Sequence, residues 1–311
     1  MPAQLARWLA AGELNLPLPG RGDTAQRWRR LAELTELDVV AGRLAEAHCD
    51  AAAILADLVG PQVRAGELWG VWAAESRDAV LRAQPAGEGI ALHGTKVWCS
   101  GAGLCTHALV TARVGDDGTR GLFAVDLRHQ RVRPLPSSWR NAGMAESDTR
   151  SVQFSGAPAT PVGSPGEYLS RPGFWHGAIG VAACWLGGAR AVAAPLYSAA
   201  AREEPHTLAH LGAVDAALTA AAATLAQAAA EVDADPDDRN STAELCARRC
   251  RAVVETAVDE VLTRTGRALG PGPLSQDAAH ARHVADLTVY VRQSHAERDL
   301  EALGRLAGER R

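Results

Sequence analysis

The stretch His93-Gly94-Thr95-Lys96-Val97-Trp98-Cys99-Ser100-Gly101-Ala102 places a flat indole, a thiol and a hydroxyl on three successive residues. Trp98 offers an apolar surface against which a ring system can pack. Ser100 offers a hydroxyl able to hydrogen-bond a ring nitrogen or oxygen. Side chains of these types suit the holding of a planar cofactor, which would then carry the reaction itself. Taken alone, the segment reads equally well as a core strand with Trp98 buried and Ser100 beginning a turn.

The surrounding sequence must position these groups. After a lead containing Pro17, Pro19, Gly20 and Gly22, Asp23 or Thr24 can cap a helix with Trp28, Leu31, Leu34, Leu37, Val40 and Leu44 on one side. The pattern predicts one helix running to about Leu58, stopped by Gly60-Pro61. From Leu68 to Phe154 the pattern changes to short alternating runs, among them Ile90-x-Leu92, Ala108-x-Val110-x-Ala112 and Leu122-x-Ala124, with Asp116-Asp117-Gly118 as a hairpin turn. This predicts a lobe of antiparallel strands. Prolines 158, 161, 165 and 172 then interrupt any long element. Beyond Phe174 the chain is Ala-rich and helical in four blocks, roughly 174–202, 206–231, 240–266 and 276–305, separated by Pro205, Pro236 and Gly270-Pro271-Gly272-Pro273. Leu218 and Leu225, seven residues apart, argue for close helix packing within the Ala runs. The expected fold class is α+β: a short N-terminal helical segment (1–67), a central antiparallel β lobe (68–171) and a C-terminal four-helix bundle (172–311).

Composition narrows the function. With 311 residues, 47% of them hydrophobic, the chain can bury a full core. A net charge of -4 with acids and bases intermixed leaves no footprint for nucleic acid. No stretch approaches 18 uninterrupted apolar residues and no signal-like layout opens the chain, so a cytoplasmic protein without a membrane partner is expected. The six cysteines are scattered in the manner of reduced thiols. Cys246 and Cys250 share a helix face, but without a second pair of ligands they read as small apolar residues and no metal site is expected.

Several motifs together resemble the acyl-CoA dehydrogenase superfamily over roughly residue 30 to the C-terminus. Trp69-Gly70-Val71-Trp72-Ala73-Ala74-Glu75 looks like the family's aromatic-Cys-Val-Thr-Glu strand. Lys96 to Ala102 looks like its Lys-x-Trp-Ile-Thr-Asn-Gly/Ala strand, and Gly143 to Phe154 like Gly-x-Arg-x-Ser-x-Thr-x-x-Val-x-Phe. Leu186-Gly187-Gly188-Ala189 fits the first bundle helix. The resemblance implies an FAD cofactor contacted by Trp98, Cys99 and Ser100. Ala74 stands where the family usually has a flavin-bonding Thr, so one hydroxyl contact is missing. Arg202 stands where an Arg reaches the pyrophosphate of a neighbouring subunit's cofactor, although the family's following Phe-Gly is here Pro205-His206. Gly270, with Gly266 and Gly272, occupies the region of a Gly-Gly-x-Gly cofactor turn, and a plain interhelix turn explains these glycines equally well. Glu75 reads as structural, holding a strand end by a salt bridge or a cap.

The implied activity is FAD-dependent dehydrogenation of the CH-CH group of an acyl-CoA or related thioester, with an electron-transfer flavoprotein as possible acceptor and a homo-oligomeric assembly. Such a reaction needs a carboxylate base. The family's two base positions fall near Ser294 and Gly177, and neither is a Glu. His295 and Glu297 lie beside the first and His176 beside the second, and an imidazole is a competent base near neutral pH. His176, His295 and Ser294 are therefore the candidate catalytic residues, with a solvated or capping role as the alternative for His295. The vacancy supports two rival readings: a flavin-dependent monooxygenase of the same fold, which does not need the Glu, and a noncatalytic binding module. The helical portion before the β lobe, about 65 residues, is roughly half the family's usual length. That implies an acyl pocket whose wall is partly absent or supplied by a partner.

Overall fold

The computed structural model describes residues 2–115, 118–199 and 204–309. The described chain divides into two compact units. One comprises residues 1–15, 44–141 and 145–174, and the other residues 16–43, 142–144 and 175–311.

The first unit is built on seven strands: β1 (Trp69–Trp72), β2 (Leu81–Ala86), β3 (Gly89–Cys99), β4 (His107–Val114), β5 (Thr119–Asp126), β6 (Val132–Pro134) and β7 (Arg150–Val162). They run in the order β1-β4-β2-β3-β7-β5, and β5 also pairs with β4, so five of the strands close into a ring. The lobe expected to be antiparallel is mixed: β1 and β2 both pair with β4 in parallel. They do so in succession along the same strand, β1 opposite His107–Val110 and β2 opposite Arg113–Val114. Parallel neighbours need a crossover, which alternation within single strands does not reveal. β4 and β5 form the anticipated hairpin with eight paired positions, while Asp116 and Asp117 of its expected turn lie outside the described residues.

Helix α1 (Ala3–Ala10) buries Leu5 and Trp8 in this unit. The later part of helix α3 (Val39–Asp57), with Leu58 just beyond its end, lays Ala51, Ile54, Leu55 and Leu58 against Trp69, Leu109, Leu122 and Val162 of the sheet. Cys49 on this helix donates its thiol to the Leu14 carbonyl at 3.3 Å.

The second unit is helical. Helix α2 (Thr24–Leu37) and the start of α3 were expected to be one helix. Asp38 breaks them, taking an extended backbone while its side chain accepts from the Ala41 N–H at 2.9 Å. Arg282 holds the same carboxylate at 2.8 Å. After a single turn in the first unit, α4 (Glu167–Ser170), come α5 (Pro172–Ala199), α6 (Pro205–Ala234), α7 (Ala243–Leu269), α8 (Pro271–Gln276), α9 (Ala278–Tyr290) and α10 (Glu297–Glu309). The last block, anticipated as one helix over 276–305, is interrupted by a 3-10 turn at Val291–Gln293 and by Ala296 at φ 48°. Leu218 and Leu225 are buried on α6 as their spacing required.

Helices α5 and α2 approach at backbone distance. A Cβ on Gly187 would come 2.1 Å from the Ala32 carbonyl oxygen, and one on Gly188 would meet Leu287 at 2.8 Å. Both α5 and α6 are long and apolar enough to cross a membrane by length and composition, and α5 is largely buried as a core helix.

Candidate functional site

The segment around Trp98 owes its shape to a bulge. β3 and β7 run antiparallel with Lys96 opposite Val152 and Cys99 opposite Arg150, so one strand uses an extra residue between those pairs. The slack is taken up at Trp98, whose φ is +58°. Such a backbone is costly for a bulky residue and is kept where the surroundings impose it. Its effect is to turn the indole outward: Trp98 is 64% exposed, although Lys96 and Cys99 on the same strand are buried. The core-strand reading of Trp98 is thereby set aside.

Cys99 goes the other way. Its thiol is fully buried and donates to the carbonyls of Lys96 at 3.4 Å and Val97 at 3.7 Å. Burial pushes its pKa far above the ordinary thiol range. Any contact Cys99 makes on the exposed face is through its backbone. Ser100 begins a turn whose carbonyl accepts from the Trp72 indole N–H at 2.9 Å. Its hydroxyl lies 3.0 Å from that of Thr149, which lies 2.8 Å from that of Ser147. The backbone of Gly101 donates to the Ser147 carbonyl at 2.8 Å, and Gly103 donates to the Asp148 carboxylate at 2.8 Å. Asp148, itself at φ 49°, pairs with Arg150 at 2.5 Å. The two motifs that carry Trp98 and Thr149 are thus sewn together by side chains and backbone alike.

Two residues before Trp98 the strand carries a buried ammonium. Lys96 Nζ donates to Glu75 Oε1 at 2.8 Å, to the Thr111 hydroxyl at 2.8 Å and to the Thr111 carbonyl at 2.9 Å. That carbonyl belongs to the stretch of β4 where β1 has ended and β2 has not yet begun. Burial lowers the Lys96 pKa, and the Glu75 charge works against this. For Glu75, burial pushes upward but the Lys96 hydrogen bond and charge outweigh it, leaving the carboxyl below its usual value. Glu75 holds the end of β1 as a salt-bridge partner. Ala74 beside it is exposed and brings only a methyl group.

The remaining sequence candidates lie elsewhere. His176 is buried near the start of α5. One residue before it, Trp175 carries the Arg248 guanidinium over its ring at 5.1 Å. Arg251, which the sequence reading did not single out, donates to the Ala178 carbonyl at 3.0 Å and lies 4.5 Å above the Trp185 ring. Nothing in local spacing marks Arg251, because its partners lie 66 and 73 positions away on another helix.

Ser294 has its hydroxyl engaged, donating to Glu255 Oε2 at 2.5 Å and accepting from the Ala296 N–H at 3.1 Å. That hydroxyl secures the turn leading into α10. His295 is largely exposed and pairs with Asp299 at 3.7 Å. Gly270 closes α7 at φ 66° with open space around it, as an interhelix turn requires. Arg202 lies outside the described residues. Among the described residues no group of three or more His, Cys, Asp or Glu could hold a metal ion.

No protein-family model matches the sequence, and no curated protein is significantly similar to it. Solved structures do resemble it in shape. FMN-bound TdsC from Paenibacillus sp. A11-2 matches with a TM-score of 0.82 at 20% identity, over 93% of this chain and 84% of that one. Methanesulfinate monooxygenase MsuC from Pseudomonas fluorescens matches with a TM-score of 0.81 at 18% identity, over 100% and 97%. Nitrososynthase from Micromonospora carbonacea var. africana matches with a TM-score of 0.79 at 19% identity, over 98% and 88%. At such identities the likeness shows the fold, which is that of the acyl-CoA dehydrogenase-like flavoenzymes.

Proposed function

We propose that this protein is a flavin-dependent monooxygenase that takes FMN on the Trp98 face. The observation that carries the reading is the bulge that turns Trp98 outward at positive φ beside the Ser100 hydroxyl. Backbone strain of this kind clusters at ligand-binding and active sites. The indole would stack against the flavin ring, and the Ser100 hydroxyl would meet its polar edge. The Lys96–Glu75 pair ties the strand leading to both groups to the segment following β1. When bound, reduced flavin would supply two electrons to dioxygen, one oxygen atom passing to an organic substrate and the other leaving as water.

The choice of oxygenation over dehydrogenation rests on Ser294, near which the resemblance puts the family's carboxylate base and whose hydroxyl is committed to Glu255 and Ala296. A proton at carbon would have to be taken by His176, which is buried, or by His295, which is largely exposed. FAD-dependent oxidation of an acyl thioester, with an electron-transfer flavoprotein as acceptor, is the alternative drawn from the resemblance. The preference for FMN draws on the TdsC complex.

Titration of the purified protein with FMN and with FAD, followed by flavin fluorescence, comes first. Oxygen uptake is then measured with chemically reduced FMN and a panel of indole, methanesulfinate and an amino-sugar nucleotide, chemistries that bound neighbours or their names suggest. Substrate-dependent uptake supports the oxygenase. Anaerobic bleaching by an acyl-CoA would instead establish the dehydrogenase, and binding of neither flavin would leave a noncatalytic module.

A further inference from the structure

Ser100, Thr149 and Ser147 form an unbranched run of hydroxyls, with oxygen separations of 3.0 Å and 2.8 Å. Either oxygen can be the donor in each pair. Ser147 is 1% exposed and Ser100 and Thr149 are partly buried, so water does not freely replace these bonds. A hydroxyl has one proton and two lone pairs. Thr149 has one proton and so can donate to only one of its two hydroxyl neighbours; when it donates to one and accepts from the other, the run has a direction. In one direction Ser147 donates to Thr149 and Thr149 to Ser100, leaving the Ser100 proton pointing outward as a donor. In the other, Ser100 donates to Thr149 and Thr149 to Ser147, leaving Ser100 a lone pair to offer outward. Reversing the run moves no heavy atom.

A flavin makes opposite demands in its two redox states. The central ring nitrogen accepts a hydrogen bond when oxidised. After uptake of two electrons and a proton at that atom it donates one. Resting on the flavin reading above, we propose that Thr149 and Ser147 are positioning residues that let Ser100 serve the flavin as donor in one redox state and as acceptor in the other. Among the described residues the hydroxyls of Thr149 and Ser147 bond only to other hydroxyls, and they act through Ser100.

The proposal fixes a sign. Without the Thr149 hydroxyl, Ser100 can still donate outward to oxidised flavin. To accept from reduced flavin, however, it would have to leave its own proton without an acceptor, which costs free energy in a partly buried site. Thr149→Val, nearly isosteric, therefore weakens reduced FMN about tenfold relative to oxidised FMN. For a two-electron couple that is a midpoint potential about 30 mV more negative. Ser147→Ala moves the potential in the same direction by less, because Thr149 then lacks an acceptor for its own proton. Thr149→Ser restores the hydroxyl and the wild-type potential.

The test uses the whole chain with FMN as probe, measuring binding of the oxidised form by fluorescence and the midpoint potential by dithionite titration against a reference dye. Circular dichroism accompanies each variant, and Ser147→Ala provides the measurement if Thr149→Val does not fold. A negative shift that Thr149→Ser reverses supports the proposal. An unchanged potential in Thr149→Val, or a shift that Thr149→Ser fails to reverse, overturns it while leaving the flavin reading intact. A wild-type protein that binds neither flavin overturns the flavin reading and, with it, this role for the hydroxyls.

Discussion

Lys96 reaches Glu75 at 2.8 Å across 21 residues of sequence, joining the end of β1 to the approach to Trp98. The ammonium is almost wholly buried and the carboxylate is about a quarter exposed. Glu75→Gln strands the ammonium without its counter-charge. Breaking a buried pair costs several kcal/mol, and the partial exposure of Glu75 reduces this to about 2 kcal/mol. Lys96→Met, which removes the buried charge itself, is expected to cost less. Urea unfolding of both variants checks the order, and equal losses would mean that the pair acts through shape alone.

Trp98 separates binding from stability. Its ring is mostly in solvent and its backbone is left-handed, so Trp98→Gly relieves strain while giving up only the smaller, buried part of the residue. Relief of about 1–2 kcal/mol, offset in part by glycine's greater freedom when unfolded, leaves a gain of ~0.5–1 kcal/mol. The same change removes the stacking surface and raises the FMN dissociation constant about tenfold. Trp98→Ala loses the surface and keeps the strain, so it weakens FMN without the stability gain. The two substitutions diverge in thermal melts and agree in titrations; a Trp98→Gly protein less stable than wild type would sink this account.

His48 sets an acid limit on the first unit. It is buried on α3 and accepts from the Trp69 N–H at 3.2 Å, and burial lowers its pKa to about 4 despite the opposing charge of Glu67. The unfolded chain, with an ordinary imidazole near 6.5, binds a proton that the folded chain refuses between those values. This contribution is complete above pH 6.5 and is lost as pH falls toward 4, by about 3 kcal/mol. His48→Gln keeps an acceptor for Trp69 and does not titrate. Its urea midpoint should fall less between pH 7 and pH 4.5 than that of wild type, and parallel losses would exonerate His48.

Ser294 gives a test of the vacant base. If its hydroxyl secures the turn into α10, Ser294→Ala costs about 1–2 kcal/mol, since one of its hydrogen bonds is to a carboxylate. Glu255→Gln should cost less in the Ser294→Ala background than alone, because one of the carboxylate's partners is already gone while Arg292, at 3.6 Å, remains. Unchanged unfolding in Ser294→Ala would return the residue to the list of chemical groups.

Patterns confined to neighbouring residues were the legible part of this chain. The hairpin of β4 and β5, the strand leading to Trp98 and the breaks at Pro205 and Gly270 all follow from alternation or punctuation within a few residues. Asp38 was missed because a helix break held by Arg282 depends on a residue 244 positions away. The parallel pairing of β1 and β2 with β4 was missed for the same reason. At the site, Trp98 and Ser100 were picked by type, yet the bulge that aims Trp98 depends on the register against β7. Ser147 and Thr149 were visible as motif letters, and only their proximity to Ser100 gives them a role.

Gly187 and Gly188 look in different directions from α5, one onto the Ala32 backbone of α2 and the other onto Leu287 of α9. A helix keyed on two sides can neither slide nor turn without driving a neighbour, so α2, α5 and α9 should respond to force as a single block. Compliance within the helical unit is then confined to its interruptions, of which the stretch from Val291 to Ala296 is one. Hydrogen exchange there should run ahead of exchange in the keyed helices.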